Sequence, residues 1–317
     1  MVDAELLLRE ARRPLVIGMG GGGDVVGALA TAEFARLYDG ADPVLGGLAW
    51  ERRPIDPVPG ARTTEEIDGA EELAPGVLLA GPGTRVRGRD VLFAESRMAG
   101  LLGRPTVLLT LEGGAAALAE GLQVAAARLE TDAFVFVDVG GDVLAQGHEP
   151  GLRSPLCDAI TLASAHRLAA AGEAVLLGVF GVGCDAELTP AEVLARLASV
   201  AGAAGLCGAR GLTDAVAARL EDAVARVPTE ASALAVRSFR GRSGTVSIRG
   251  GTREVELTPL AACTFFLDVE ATVAACGRLA RAVDLCETVE AASRALNEIG
   301  VRTELDLELA AASQAAS

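Results

Sequence analysis

Three segments of the chain set carboxylates beside glycines, a pattern in which a backbone turn brings acids close to a ligand. In the first, Pro14-Leu-Val-Ile-Gly18-Met-Gly20-Gly21-Gly22-Gly23-Asp24 reads as a strand, a glycine turn and a helix start. Glycine tolerates positive φ there, and bare amides at the positive end of a helix attract an anion. Asp24 either caps that helix or repels an anion unless a metal or an arginine intervenes, so Mg²⁺ or an amine-bearing ligand enters the reading. Gly18-x-Gly20-x-x-Gly23 also fits the dinucleotide pattern. That reading asks for an acid closing the next strand; Val44 to Leu48 has none, and Glu51 lies farther out. A classical NAD site, another anionic or nucleotide-like ligand and a purely structural turn all stay open.

The second segment, Phe134-Val-Phe-Val-Asp138-Val-Gly140-Gly141-Asp142, ends a strand with one carboxylate and adds another four residues on. Such a pair can bind a hard cation such as Mg²⁺ or Mn²⁺, or hydroxyls, with the glycines allowing close approach; a turn with solvated acids is the alternative. The third, Gly181-Val-Gly183-Cys184-Asp185-Ala186-Glu187, offers two acids for a cation or for proton transfer, or else a solvated loop. Between them, Arg153-Ser154-Pro155 places Ser154 as a helix N-cap and leaves Arg153 to grip a carboxylate or phosphate. Cys157 follows in the first helical turn, where a lowered pKa competes with the commoner role of a buried thiol. Trp50-Glu51-Arg52 sits in a proline- and charge-dense stretch, Pro43 to Ala74, suited to an active-site loop or lid. Glu95 and Arg97 on a helix, and Arg302-Thr-Glu304, complete the polar groups expected at the same edge.

Composition removes several rival chemistries. All 28 basic side chains among the 317 residues are arginine, which excludes a P-loop lysine, a Schiff-base lysine and a Ser-Lys dyad. The formal charge of −15 argues against a nucleic-acid partner, because backbone phosphates are held by basic side chains. Two histidines leave little for a histidine-rich metal site, and six cysteines without a C-x-x-C pair read as reduced thiols of a cytoplasmic protein. The acidic start shows no signal-peptide h-region, and no apolar stretch is long enough to span a bilayer.

The elements that must position these groups follow from hydrophobic patterning. Continuous apolar runs at Leu15 to Gly18, Val44 to Leu48, Val77 to Ala80, Thr106 to Thr110, Ala133 to Val137, Ala174 to Phe180 and Phe265 to Asp268 suggest strands covered on both faces. Helices are expected over Asp24 to Tyr38, Asp90 to Leu102, Ala115 to Leu129 and Pro155 to Ala171. The alternation predicts an α/β fold: a doubly wound, mostly parallel Rossmann-like sheet with helices on both faces, forming one domain over residues 1–317. Within it, the Ala-rich stretch from Leu188 to Leu234 reads as a helical cap. Thr245 to Leu257 reads as a β-hairpin around a Gly-Gly turn, so residues 188–258 form a cap plus hairpin.

The ordered set Ile-Gly-x-Gly-Gly-Gly-Gly-Asp24, Trp50-Glu-Arg52 with Asp56-Pro57, Glu95-Ser-Arg97, Asp138-x-Gly-Gly-Asp142, Arg153-Ser-Pro-Leu-x-Asp158 and Arg302-Thr-Glu-Leu-Asp306 resembles an uncharacterised prokaryotic family filed as a domain of unknown function. The likeness runs from Pro14 to Asp306 and implies one α/β domain without an established activity. That family's fourth block reads Gly-x-Asp-Gly-Glu-Leu, from which Ala186 departs. A fainter similarity, glycine turns followed by acids, links the chain to amino-acid cyclases acting on glutamate.

These readings lead to an expected small-molecule enzyme of the lyase, cyclase or transferase kind. Asp24, Asp138, Asp142, Asp185 and Glu187 are its candidate catalytic acids, Asp138 and Asp142 its candidate metal ligands. Gly20, Gly21, Gly22, Gly23, Trp50, Glu51, Arg52, Glu95, Arg97, Arg153 and Ser154 are its candidate ligand-binding residues. The rivals are a non-catalytic sensor of a nucleotide or amino-acid derivative and an NAD-linked oxidoreductase. Neither a nucleic acid nor a membrane is expected as partner, and an Ala/Val-rich helical surface suits a homo-oligomer.

Overall fold

The chain alternates strands and helices, and its computed structural model describes residues 2–316. The strands are β1 (Pro14–Gly18), β2 (Val44–Leu48), β3 (Ile67–Ala74), β4 (Val77–Val86), β5 (Thr106–Leu109), β6 (Ala133–Val139), β7 (Val175–Phe180), β8 (Leu206–Gly211), β9 (Gly244–Ile248), β10 (Arg253–Leu257) and β11 (Cys263–Leu267). The helices are α1 (Ala4–Glu10), α2 (Asp24–Phe34), α3 (Ala94–Leu102), α4 (Gly114–Leu129), α5 (Pro155–Ala170), α6 (Pro190–Gly202), α7 (Asp214–Val224), α8 (Glu230–Phe239), α9 (Val269–Cys276), α10 (Arg278–Val283), α11 (Val289–Glu298) and α12 (Glu304–Ala316).

Nine strands make one sheet in the order β3-β4-β5-β2-β1-β6-β7-β11-β8, while β9 and β10 pair as a separate hairpin. The five central strands, β5 to β7, are parallel. Only β4 and β11 run against them, so seven of the nine strands share one direction. Strands β1, β2, β5, β6 and β7 are buried along their full length, which is why their sequences are continuous apolar runs. One face of the sheet packs on α4, α5 and α9 to α11, the other on α2, α3, α7 and α8. Phe136 and Phe180 are fully buried in these two layers, and truncating either to alanine is expected to cost about 3–5 kcal/mol.

Two expectations about the connections need correction. The stretch Pro43 to Ala74 is not loop to its end: Ile67–Ala74 is an outer strand, paired antiparallel with β4. Its acids Asp68, Glu71 and Glu72 are exposed, so the apolar run that marks a central strand is missing. The cap region Leu188 to Leu234 is not wholly helical either, because β8 interrupts it and pairs with β11 at the other edge. Its sequence, Leu-Cys-Gly-Ala-Arg-Gly, is mostly exposed or half-buried and carries no strand signature.

The order of connections fixes where a ligand fits. From β1 the chain passes through α2 to β2 on one side, whereas β6 and β7 continue on the other side of β1. Ligand crevices in open α/β sheets form at the carboxyl ends of the strands beside such a switch point. Between β1 and β6, the turns that carry Gly20–Asp24 and Asp138–Asp142 meet there.

Candidate functional site

At that switch point lies a cavity of about 960 Å³, lined by Gly20 to Asp24, Glu51 to Ile55, Asp142, Ser154, Asp158, Asp185 and Glu187. Helix α8 and the β9–β10 hairpin roof it, contributing Thr229, Arg237 and Arg249 among others. The glycine turn takes positive φ at Gly21 and Gly22, +76° and +55°, which L-side chains rarely adopt. It is held in place by the Gly22 N–H donating to the Trp50 carbonyl at 3.0 Å and by Arg52 Nη2 donating to the Gly20 carbonyl at 2.8 Å. Asp24, at the first position of α2, accepts the Gly20 N–H at 2.9 Å. Its carboxylate thus points back over the glycine turn.

Each central strand from β2 to β7 is followed by an acid at its carboxyl end: Glu51 after β2, Asp24 after β1, Asp138 and Asp142 at the end of β6, Asp185 and Glu187 after β7. Two sets converge. One oxygen each of Asp138, Asp142 and Asp158 lies within 4.8 Å of the others, and the same holds for Asp142, Asp185 and Glu187. All five acids are buried. Asp138 accepts the Gly141 N–H at 2.7 Å through one oxygen, but its Oδ1, Asp158 Oδ1 and Asp185 Oδ2 have no hydrogen-bond partner. The glycines of the β6 turn make this density possible, since a Cβ at Gly140 would fall 2.3 Å from the Asp185 carboxyl carbon.

Electrostatics follow from the burial. Removal from water, followed by the repulsion of the neighbouring acids, holds the carboxyls of Asp142, Asp158 and Asp185 well above the usual range. Asp138 is pushed up to about 7 by burial, moderated by the adjoining Asp142 carboxyl and by the Gly141 N–H that it accepts. Asp24 is raised by burial and by Asp138. Glu51 is raised to about 7 by burial, although its carboxylate accepts the Ala94 N–H at 2.5 Å at the start of α3. Behind it, Glu95 is raised by burial and by Glu51, and both its oxygens lack a partner.

Helix α5 shows how selectively the partners are withheld. Its buried Thr161 hydroxyl donates to the Cys157 carbonyl at 2.8 Å and its buried Ser164 hydroxyl to the Ala115 carbonyl at 3.0 Å. Asp158, one turn earlier, keeps an oxygen unpaired. Ser154 occupies the N-cap position, as its sequence suggests, yet its side chain makes no capping bond. Its hydroxyl donates instead to Glu187 at 2.6 Å, and Glu187 also accepts the N–H groups of Arg153 and Ser154 at 2.6 and 2.8 Å. Glu304, from α12, accepts the Leu156 and Cys157 N–H groups at 2.8 and 2.9 Å. Two carboxylates from distant segments therefore cap this helix, where its dipole favours negative charge.

Residues 15–312 match the model of a family described as a protein of unknown function, DUF1152. The chain belongs to the DUF1152 family. No curated protein and no solved structure matches it.

In this DUF1152 protein the structure gathers Gly20 to Gly23, Asp24, Glu51, Arg52, Asp142, Ser154, Asp185 and Glu187 around the cavity, with Asp138 in its floor. Trp50 is fully buried, donating its indole N–H to Glu308 at 3.1 Å, with the Arg52 guanidinium stacked 4.4 Å from its ring centre. Glu95 lies beneath Glu51, while Arg97 and the exposed Arg153 side chain are not part of the lining. Cys157 is buried, and burial raises its thiol well above the usual range, the behaviour of a packed thiol. Asp158 was absent from the ligand candidates, although an acid among the small and apolar residues of Pro-Leu-Cys-Asp-Ala-Ile-Thr-Leu-Ala-Ser signals a buried charge. Nothing local distinguishes Arg249 or Thr229, which reach the cavity only through the fold of the cap.

Proposed function

We propose that this protein is an enzyme that uses a divalent cation, Mg²⁺ or Mn²⁺, to bind and convert an anionic or nucleotide-like small molecule by lyase, cyclase or transferase chemistry. The observation that carries this reading is the set of three buried, unpartnered carboxylate oxygens on Asp138, Asp158 and Asp185: Asp158 and Asp185 line the cavity, and all three side chains cluster with Asp142. A buried polar atom without a partner costs about 1–3 kcal/mol and more when charged, so three together are poor architecture for a core. A hard cation takes oxygen ligands of this kind and removes the penalty. Asp138, Asp142 and Asp158 offer it three carboxylate ligands, with water or the bound small molecule to fill the rest of its coordination.

The same cation explains why an acid, Asp24, stands over a glycine turn suited to anions: positive charge between them lets a phosphate or carboxylate approach the Gly20 to Gly23 backbone. Arg249, 47% exposed at the cavity roof, supports the choice of an anionic ligand. Glu51, raised to about 7, is suited to give and take a proton near neutral pH. The NAD reading is weaker, since the Asp24 carboxylate occupies the Gly20 amide and stands where a pyrophosphate would lie. Among the described residues no helix is long and apolar enough to cross a membrane, and all six cysteines are free, which fits a place in the cytoplasm.

Thermal unfolding with chelator, Mg²⁺ or Mn²⁺, alone and with nucleotides, sugar phosphates and amino-acid derivatives, tests the proposal, with turnover followed by mass spectrometry. A cation-dependent rise in Tm that grows with one ligand class and is lost in Asp158→Asn is expected. Ligands that bind equally well in chelator defeat the cation role; binding without turnover moves the protein to the sensor class.

A further inference from the structure

The two acid sets share one residue. Asp142 belongs both to the group with Asp138 and Asp158 and to the group with Asp185 and Glu187, and each group brings three oxygens within 4.8 Å. Asp138 and Asp158 each leave an oxygen without a partner in the first group, and Asp185 leaves one in the second. These unpartnered atoms belong to side chains only 1, 2 and 8% exposed. Building on the cation-dependent reading, we propose that the site holds two divalent cations bridged by Asp142, and that its ligand is a phosphoryl compound whose oxygens span both.

Charge supports two cations over one. Five carboxylates meet in the floor, and Arg52, the arginine nearest the glycine turn, is committed to Glu304 at 3.2 Å and Glu308 at 3.7 Å. A single dication leaves three of the five negative charges without a counterion in a buried setting. Two dications neutralise four, Arg249 stands 3.9 Å from Glu187, the fifth, and the buried Asp24 beside them adds further negative charge that favours the second cation. Paired cations about 3.5–4 Å apart are the arrangement that clamps phosphoryl oxygens, and one carboxylate with two oxygens can span such a pair. In the neighbouring Gly20 to Gly23 turn the Gly20 and Gly22 N–H groups are committed to Asp24 and Trp50, so among the described residues the Gly21 and Gly23 amides at the start of α2 are the ones left for a phosphate.

Manganese titration of the full-length protein separates the alternatives, read by equilibrium dialysis and electron paramagnetic resonance. Wild type is expected to bind two equivalents of Mn²⁺ and to give the exchange-coupled spectrum of a bridged pair, a measurement that needs no variant. Asp158→Asn and Asp185→Asn should each weaken one equivalent at least about tenfold and leave a magnetically isolated ion, while Asp142→Asn abolishes the coupling. Circular dichroism establishes that each variant is folded. With inorganic phosphate as probe, binding should require both equivalents and alter the coupled spectrum. One equivalent with an uncoupled signal overturns the paired site and leaves the single-cation enzyme standing; no bound Mn²⁺ overturns both. Phosphate that binds as well at one equivalent as at two, or not at all, overturns the phosphoryl assignment.

Discussion

Two clusters of buried charge stand at opposite ends of this molecule's logic. Around Arg210 on β8, the guanidinium donates to Glu5 at 2.8 and 2.9 Å and to Asp39 at 2.6 and 3.3 Å, and stacks 4.6 Å from the centre of the Phe34 ring. Two acids thus share a fork geometry suited to carboxylates, and the cluster is complete as it stands. At the carboxyl ends of β6 and β7, five buried acids gather with several oxygens unpaired and no guanidinium within direct hydrogen-bond reach. The same chain pairs buried charge at Arg210 and leaves carboxylate oxygens unpaired at the second cluster, a contrast that supports the proposed cation site.

The sharpest way to break this comparison is to remove Arg210. Arg210→Met leaves Asp39, 4% exposed, without its counterion, and is expected to lower stability by about 3 kcal/mol, equally with and without Mg²⁺ in urea unfolding. A loss that Mg²⁺ restores would show that the two clusters are not independent. Asp158→Asn is predicted to do the reverse. It should leave the cation-free protein as stable as wild type or more so, yet forfeit the roughly 2.7 kcal/mol that each cation contributes at 100 times its dissociation constant. If the variant is instead unstable in chelator and still stabilised by Mg²⁺, Asp158 is a structural residue.

A third prediction concerns pH. Glu51 and Asp138 hold their protons up to about 7 in the folded chain, above the values of about 4 expected when unfolded. A raised folded pKa stabilises below the unfolded value, and the gain is lost as pH rises through 7. Stability in chelator should therefore fall by about 2–3 kcal/mol for each of these two groups between pH 5 and 8, and saturating Mn²⁺ should flatten or reverse the slope. Stability that rises over this range in chelator would show the acids already ionised and otherwise compensated. The smallest effect lies at Ala186, where the backbone has φ +63°. Ala186→Gly, restoring the residue of the resembling family's block, should raise stability by about 1 kcal/mol, measured as a shift in the urea midpoint with unchanged slope.

Much of the fold was legible because its central strands are buried on both faces: Phe134-Val-Phe-Val and Val175-Leu-Leu-Gly-Val-Phe cannot be mistaken for solvent-facing segments. Strands β3 and β8 escaped because an edge strand shares its residues with solvent; Asp68-Gly-Ala-Glu-Glu and Cys207-Gly-Ala-Arg-Gly look like loops by composition. The acids after β1, β6 and β7 were readable as turn-borne carboxylates since glycine marks those turns. Their convergence was not, because it depends on the order of strands, and no local pattern states that β6 lies beside β1. Asp158 and Glu187 show what local pattern leaves out. The first is carried on a helix whose buried Thr161 and Ser164 bond backbone carbonyls while its own carboxylate keeps an oxygen unpaired, and the second, readable as a turn-borne acid, also binds the Ser154 cap position 33 residues away.

The bond network of Glu304 has a consequence for how the protein comes into being. Arg52 holds the glycine turn and is itself held by Glu304, which also caps α5 just ahead of Asp158. Every acid of the two sets has left the ribosome before Glu304 is synthesised, so the nascent chain carries the acids without the brace that aligns them. If the site takes a cation as proposed, tight loading should wait for the segment that carries Glu304. Chains ending at Val301 should bind Mn²⁺ weakly and diffusely, while chains that continue through α12 should bind it tightly; shorter chains that already bind as tightly would dismiss this order of events.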